Sequence, residues 1–125
     1  MARGTNSGRL AERTYRFSLR ILGLVDELPN NVKGWEISRQ LLRSGTSIGA
    51  NVREADQALS RADFIHRLSI ARKKASETHY WLCLCRNMSL LSGDSAAQAI
   101  TEVDELLRIL STIIKKSRQD SQPAI

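Results

Sequence analysis

Apolar residues return every three or four positions along most of this chain. Between Arg9 and Leu28 the stripe is Leu10, Phe17, Ile21, Leu24 and Leu28, widened by Leu22 and Val25. From Trp35 to Leu59 it is Ile37, Leu41, Ser44, Ile48, Val52, Ala55 and Leu59. From Arg61 to Leu91, Phe64, Leu68, Ala71, Ala75, Thr78, Leu82 and Cys85 alternate steps of four and three, a strict heptad. From Ala96 to Arg118 the run is Ile100, Val103, Leu107, Leu110 and Ile114, broadened by Leu106 and Ile113. Each is the signature of an amphipathic helix, and no stretch alternates with the period of a strand. The pattern predicts helices over about 9–28, 35–59, 61–91 and 96–118. Short connections make successive helices antiparallel, so the expected fold is all-α: an up-down-up-down four-helix bundle. Residues 1–8 read as a flexible arm and 119–125, with Pro123, as a frayed tail.

The breaks carry their own chemistry. Pro29, Asn30, Asn31 and Gly34 supply a turn. Ser60 is a good N-cap, with Asp63 three residues on as its acidic partner. Gly93 can take the left-handed conformation that ends a helix, and Asp94 or Ser95 can cap the next.

The second helix is unusual in its middle, Ser44-Gly45-Thr46-Ser47-Ile48-Gly49-Ala50. Each glycine costs about 1 kcal/mol of helix propensity relative to alanine. Close approach of a neighbouring helix at Gly45, Gly49 and Ala50 would account for that cost; a break at Ser44–Thr46 is the alternative. The third helix has a second apolar stripe, Ile70, Trp81, Leu84, Met88 and Leu91, interrupted by Glu77. Two stripes need two neighbours, one inside the bundle and one that a second subunit can provide.

Charge adds a direction. The 125 residues carry 19 Lys and Arg against 13 Asp and Glu, a formal net charge of +6. Such a surface attracts polyanions. Arg9, Arg13, Arg16 and Arg20 form a ridge on the first helix, Arg72, Lys73 and Lys74 a cluster on the third, and Lys115, Lys116 and Arg118 the end of the fourth. Each set reads either as a solvated face or as phosphate-binding residues; the ridge lacks the interleaved aromatics that stack bases.

Catalytic and metal chemistry find little footing. Cys83 and Cys85 point about 200° apart on a helix, so they do not form a disulfide with each other. Glu77-Thr78-His79 lacks the Glu-x-x-His spacing of a di-metal bundle site. No serine sits in a nucleophile elbow, and Ser44–Gly49 lacks the lysine of a phosphate-binding loop. The expectation is a non-enzyme with no cofactor and no metal. Asn51 and Glu54 share one helix face, as do Lys73 and Glu77; the four are expected to form a polar network joining the second and third helices. No apolar leader and no run of about 18 apolar residues is present, which points to the cytoplasm.

Several of these residues together resemble a known family. The stretch Ser44-Gly45-Thr46-Ser47-Ile48-Gly49-Ala50-Asn51-Val52-Arg53-Glu54-Ala55 is followed by Ala58, Ser60, Asp63-Phe64, Ile70-Ala71, Lys73 and Glu77-Thr78-x-Tyr80-Trp81-Leu82. This set resembles the bacterial four-helix-bundle proteins encoded in intervening sequences of 23S ribosomal RNA genes, over roughly residues 12–115. It is also similar to the accessory variability protein of diversity-generating retroelements. The resemblance implies a ring-shaped homopentamer. It makes RNA or DNA an expected partner, or else a protein such as an RNA-bound reverse transcriptase for which the chain is an adaptor. It supplies no catalytic residue. Lys74 stands where the family pattern tends to have Glu, which removes an expected intrahelical pair at that position.

Overall fold

The computed structural model describes residues 2–120, with side chains from Gly8 onward. Four helices run Ala2–Leu24 (α1), Val32–Asp56 (α2), Arg61–Asn87 (α3) and Gly93–Asp120 (α4), with a 3-10 turn at Val25–Glu27. No strand occurs among the described residues. α1 packs on α2, α2 on α3, and α3 on α4; the α1–α4 edge is much the most sparsely packed of the four. α1 starts at Ala2, inside the span read as an arm; the tail lies mostly outside the described residues, and Gln119 and Asp120 are still helical.

The seams become the core. Leu10, Phe17, Ile21 and Leu24 of α1 are buried against Leu41, Ile48 and Val52 of α2, Leu68 and Leu82 of α3, and Val103, Leu106 and Leu110 of α4. The heptad of α3 is buried from Leu68 to Cys85, with Phe64 half-buried at its start. Its small members, Ala71, Ala75 and Thr78, let α3 lie close to two neighbours at once. Three apolar positions fall elsewhere than the pattern puts them. Leu22 is exposed on α1, Leu59 is fully exposed beyond the end of α2, and Leu106 rather than Leu107 is the more deeply buried on α4.

Glycine placement sets the α1–α2 distance. A Cβ on Gly45 would lie 2.9 Å from Ile21 Cγ1, and one on Gly49 would lie 3.2 Å from the carbonyl oxygen of Thr14. The partner of both glycines is therefore α1. α2 runs unbroken through this stretch, so the glycines serve contact and not a break. Ala50 is exposed and takes no part in the approach.

Helix ends explain most of the boundary differences. Asn31 caps α2 by accepting from Gly34 N at 2.9 Å, so the helix starts at Val32 and includes Gly34. A Cβ on Gly34 would lie 1.7 Å from the Pro29 carbonyl oxygen, which leaves no room for any other residue. Ser60 caps α3, accepting from Asp63 N at 3.1 Å. At the end of α3 Ser89, not Gly93, takes the left-handed conformation, with φ 54°. Leu90 N donates to Cys85 O at 2.8 Å and Ser89 N to Arg86 O at 3.1 Å, the paired bonds of a Schellman motif. Gly93 is instead the first residue of α4, where Ser92 Oγ accepts from Ser95 N at 3.2 Å, a capping role expected of Asp94 or Ser95. The Glu27 carboxylate, 3.1 Å from Ser95 Oγ, adds a favourable negative charge at this helix start.

These contacts rank the substitutions. Gly34→Ala should cost about 3 kcal/mol or more, because backbone must move. Gly49→Ala should be near neutral, since about 1 kcal/mol of helix propensity offsets a tight contact, whereas Gly49→Leu should cost about 3 kcal/mol. Ser89→Gly should stabilise by about 0.5–1 kcal/mol by relieving the left-handed serine. Urea denaturation midpoints of the four variants check the order; a Gly49→Leu protein as stable as the parent would refute the close-approach account.

Candidate functional site

The arginine ridge of α1 faces the loosely packed α1–α4 edge. Arg13 donates Nε to Glu102 Oε2 at 2.8 Å and Nη2 to Glu102 Oε1 at 2.9 Å; the same Nη2 lies 3.2 Å from Glu105 Oε2. This two-pronged clamp, half shielded from water, crosses between helices. The hydrogen bond to Glu102 raises the Arg13 guanidinium above its ordinary value against the opposing cost of burial, and its counterpart holds the Glu102 carboxyl below the ordinary 4.5. Arg20 donates to Gln98 Oε1 at 3.1 Å, a neutral partner that orients the guanidinium without cancelling its charge. Arg16 pairs with Glu12 at 2.8 Å within α1, both well exposed, which makes the pair weak. Arg9 is exposed and takes part in no ion pair among the described residues.

A cavity of about 420 Å³ lies along this edge, lined by Arg9, Glu12, Arg13, Arg16, Arg20 and Glu102 above Phe17. A second, of about 430 Å³, shares Arg9 and Arg13 and adds Arg108, Ile109 and Thr112. A third, of about 600 Å³, shares Leu10 and Ile113 with the second and reaches Lys116 and Arg61 at the end of the bundle. Arg61, Arg108 and Lys116 join the ridge only through the fold: the antiparallel register of α1 and α4 places Arg108 and Lys116, and the start of α3 beside the end of α4 places Arg61.

The other expected cations are dispersed. Lys74 Nζ lies 3.6 Å from Glu77 Oε1, an intrahelical pair formed despite the Lys-Lys sequence at this position. Lys73 is exposed and Arg72 half-buried, and neither has an ion pair among the described residues. Lys115, Lys116 and Arg118 are exposed at the C-terminal end of α4, where Arg61 Nη1 reaches Ser117 O at 3.5 Å.

The polar network expected of Asn51, Glu54, Lys73 and Glu77 does not form. Asn51 Nδ2 donates to Ser47 O at 2.8 Å in its own helix. Glu54 and Lys73 point into solvent, and Glu77 accepts from Trp81 Nε1 at 3.3 Å as well as pairing with Lys74. Water solvates these charges more cheaply than a buried network would. The polar link between α2 and α3 is smaller: Thr78 Oγ1 lies 2.9 Å from Ser44 Oγ, both fully buried. Trp81 is half-buried and meets Tyr80 edge to face at 5.3 Å, with Tyr80 itself exposed.

Cys83, His79 and Asp104 come together although the sequence separates them. His79 Nε2 lies 3.3 Å from Asp104 Oδ1, which is the order of a nucleophile, base and orienting acid. The Cys83 sulfur, however, is 3.8 Å from both ring nitrogens, at the long end of a sulfur hydrogen bond and directed to neither one. That arrangement does not hand a proton from thiol to imidazole. Burial pushes the Cys85 thiol up to about 11, which keeps it protonated and inert. Among the described residues no group of three or more His, Cys, Asp or Glu is arranged to hold a metal, and no helix is long and apolar enough to cross a membrane.

The clamp predicts a pH dependence. Because Glu102 is held below 4.5 in the folded protein, its contribution to stability is complete above that value and is lost as pH falls through the lower folded value. Glu102→Gln should therefore be less stable than the parent at neutral pH, with the difference shrinking in acid below 4.5. Thermal melts across that range measure it; a difference that does not change with pH would rule out the clamp as its source.

Three comparisons bear on this chain. The model of the 23S rRNA-intervening sequence protein family matches residues 8–112. No curated protein matches. Among solved structures, a protein of unknown function of the S23 ribosomal protein family, from Bacteroides thetaiotaomicron, is 43% identical; the match covers 85% of this chain and 98% of that one, with a TM-score of 0.80.

Proposed function

The chain belongs to the 23S rRNA-intervening sequence protein family, and on that premise we propose that it is a non-enzymatic, oligomeric helical bundle that holds nucleic acid by its phosphates. The observation that carries this reading is the distribution of uncompensated positive charge. Arg9, Lys73, Lys115 and Lys116 are exposed and Arg72 half-buried, none with an ion pair among the described residues; Arg20 is oriented by a neutral amide and only partly matched, by the field of Glu102. Arg13, Arg16 and Lys74 are matched by carboxylates and contribute less. Contacts of this kind bind the polymer without reading its bases.

Self-association is supported by a second feature. Tyr15, Leu19 and Leu22 lie on the outer face of α1 at exposures of 53%, 52% and 48%, a helical stripe that nothing among the described residues covers. A second copy would cover it, in the ring-shaped homopentamer implied by the family resemblance. Light scattering should give a mass several times that of one chain, and Leu19→Glu with Leu22→Glu should lower it; a parent that stays monomeric at high concentration removes this part.

Binding is tested by fluorescence anisotropy with labelled RNA and DNA. Affinity should fall steeply with salt, with log K declining by about 0.7 to 0.9 per phosphate contact for each unit of log salt. Binding that ignores salt would refute the phosphate reading. A protein partner retained after nuclease treatment, with no nucleic acid bound, would favour an adaptor role instead.

A further inference from the structure

The basic residues fall into two places, and the fold treats them differently. Arg72 and Lys73 sit on α3 and line none of the three cavities. Arg20, Arg16, Arg13, Arg9 and Lys116 line three adjoining cavities. The first cavity shares Arg9 and Arg13 with the second, and the second shares Leu10 and Ile113 with the third, which Lys116 lines. The first two follow the edge where the bundle packs most sparsely, and the third opens at the end of the bundle, where α2, α3 and α4 meet Leu10 of α1.

The length of the path they mark decides what kind of anion it suits. Arg9 and Arg20 are 11 positions apart, about 16 Å along a helix of 1.5 Å rise. They cannot converge on one phosphate, so the spacing fits a polymer of phosphates and not a small phosphorylated molecule. Arg13 is committed to Glu102 and Glu105 and stands across the path as a fixed crosspiece. Arg20 is hydrogen-bonded to neutral Gln98 and shares only the longer-range field of Glu102, and Arg9 is exposed with no ion pair among the described residues. The exposed Glu12 can be displaced from Arg16 by a phosphate, since water already weakens that pair. Phe17, beneath the groove, is 1% exposed and offers no face for stacking, so bases point outward. Acidic groups do face the path: Glu12, Glu102 and Glu105 in its upper part, and Asp56 and Asp120 beside Arg61 and Lys116 at its end.

We propose that a single strand of nucleic acid lies along the α1–α4 groove, its phosphates held by Arg20, Arg16, Arg9 and Lys116, with Arg13 as the positioning residue that keeps the two helices in register. Adjacent packed helices have axes about 8–10 Å apart, and a flexible single strand can follow so slender a gap where a stiff duplex cannot bend into it. This inference rests on the phosphate-binding function proposed above and gives it a place and a strand type.

The test compares two double variants of the full chain, Arg9→Gln with Arg20→Gln and Arg72→Gln with Lys73→Gln, by anisotropy with short oligouridylate, oligothymidylate and a duplex of matched length. Lys116→Gln provides an independent third point, and circular dichroism checks that each variant is folded. The α1 pair should weaken single-strand binding roughly tenfold and reduce the salt slope by about 1.4, while the α3 pair, which lies off the groove but still contributes charge, should weaken it by no more than about threefold. Lys116→Gln should reduce the slope by about 0.7. Selective loss of either oligonucleotide by the α1 pair upholds the groove, and which of the two the parent binds tells RNA from DNA. Equal losses in the two double variants, or duplex binding as tight as single-strand binding, would overturn the groove while leaving the broader function in place. No binding by the parent at low salt would end both.

Discussion

The close contact between α1 and α2 governs the rest of the molecule. Gly45 and Gly49 leave α1 nearly in backbone contact with α2, at Ile21 and at the Thr14 carbonyl. Once α1 is seated there its rotation is set. Phe17 and Ile21 enter the core, the arginine ridge faces α4, and Tyr15, Leu19 and Leu22 look outward. A larger residue at either glycine would push α1 away and turn all three faces at once. The helix-propensity cost of two glycines in one turn and a half is offset by this registration, a common use of small residues where backbones approach. Thr14 fits the same contact: its hydroxyl is satisfied by the Leu10 carbonyl at 2.8 Å, so a fully buried polar side chain leaves nothing unpaired.

Much of the architecture was legible because helical periodicity is local. The seams of α2 and α3 could be read residue by residue, as could Ser60 as a cap, since each depends on neighbours within one or two turns. What escaped depends on distant partners or on unmarked chemistry. Arg13 looks like its three companions in sequence; only the register of α1 against α4 singles it out for Glu102. Asn51 and Glu54 share a face, but proximity on one helix does not oblige the next helix to answer, and Asn51 found its own backbone instead. Ser89 in the left-handed region carries no sequence signal, whereas the glycine four residues later carries one and proved to start a helix. The α1 ridge was legible as a ridge; the groove beside it was not, because half its wall comes from α4.

Family membership gives the fold and leaves chemistry to the residues. The structural neighbour shares 43% identity and the bundle, but its function is unknown, so likeness alone transfers no activity. The electrostatic pattern is more informative than the net charge. Acidic residues of α4 make an ion pair with one arginine of the ridge and reach Arg20 only through the longer-range field of Glu102, so charge is spent on holding two helices together at one point and is less fully matched on either side of it.

The same clamp has a kinetic meaning. Arg13 and Glu102 are 89 positions apart, while the other helix pairs meet across tight turns. Closing so long a loop carries the largest entropic cost in the bundle, and it is recovered only after the three hairpin contacts have formed. The α1–α4 edge is thus the last seam to close as the chain folds and the first to part when it opens. Transient opening of the bundle, on this account, begins between the first helix and the last and leaves the α2–α3 pair intact.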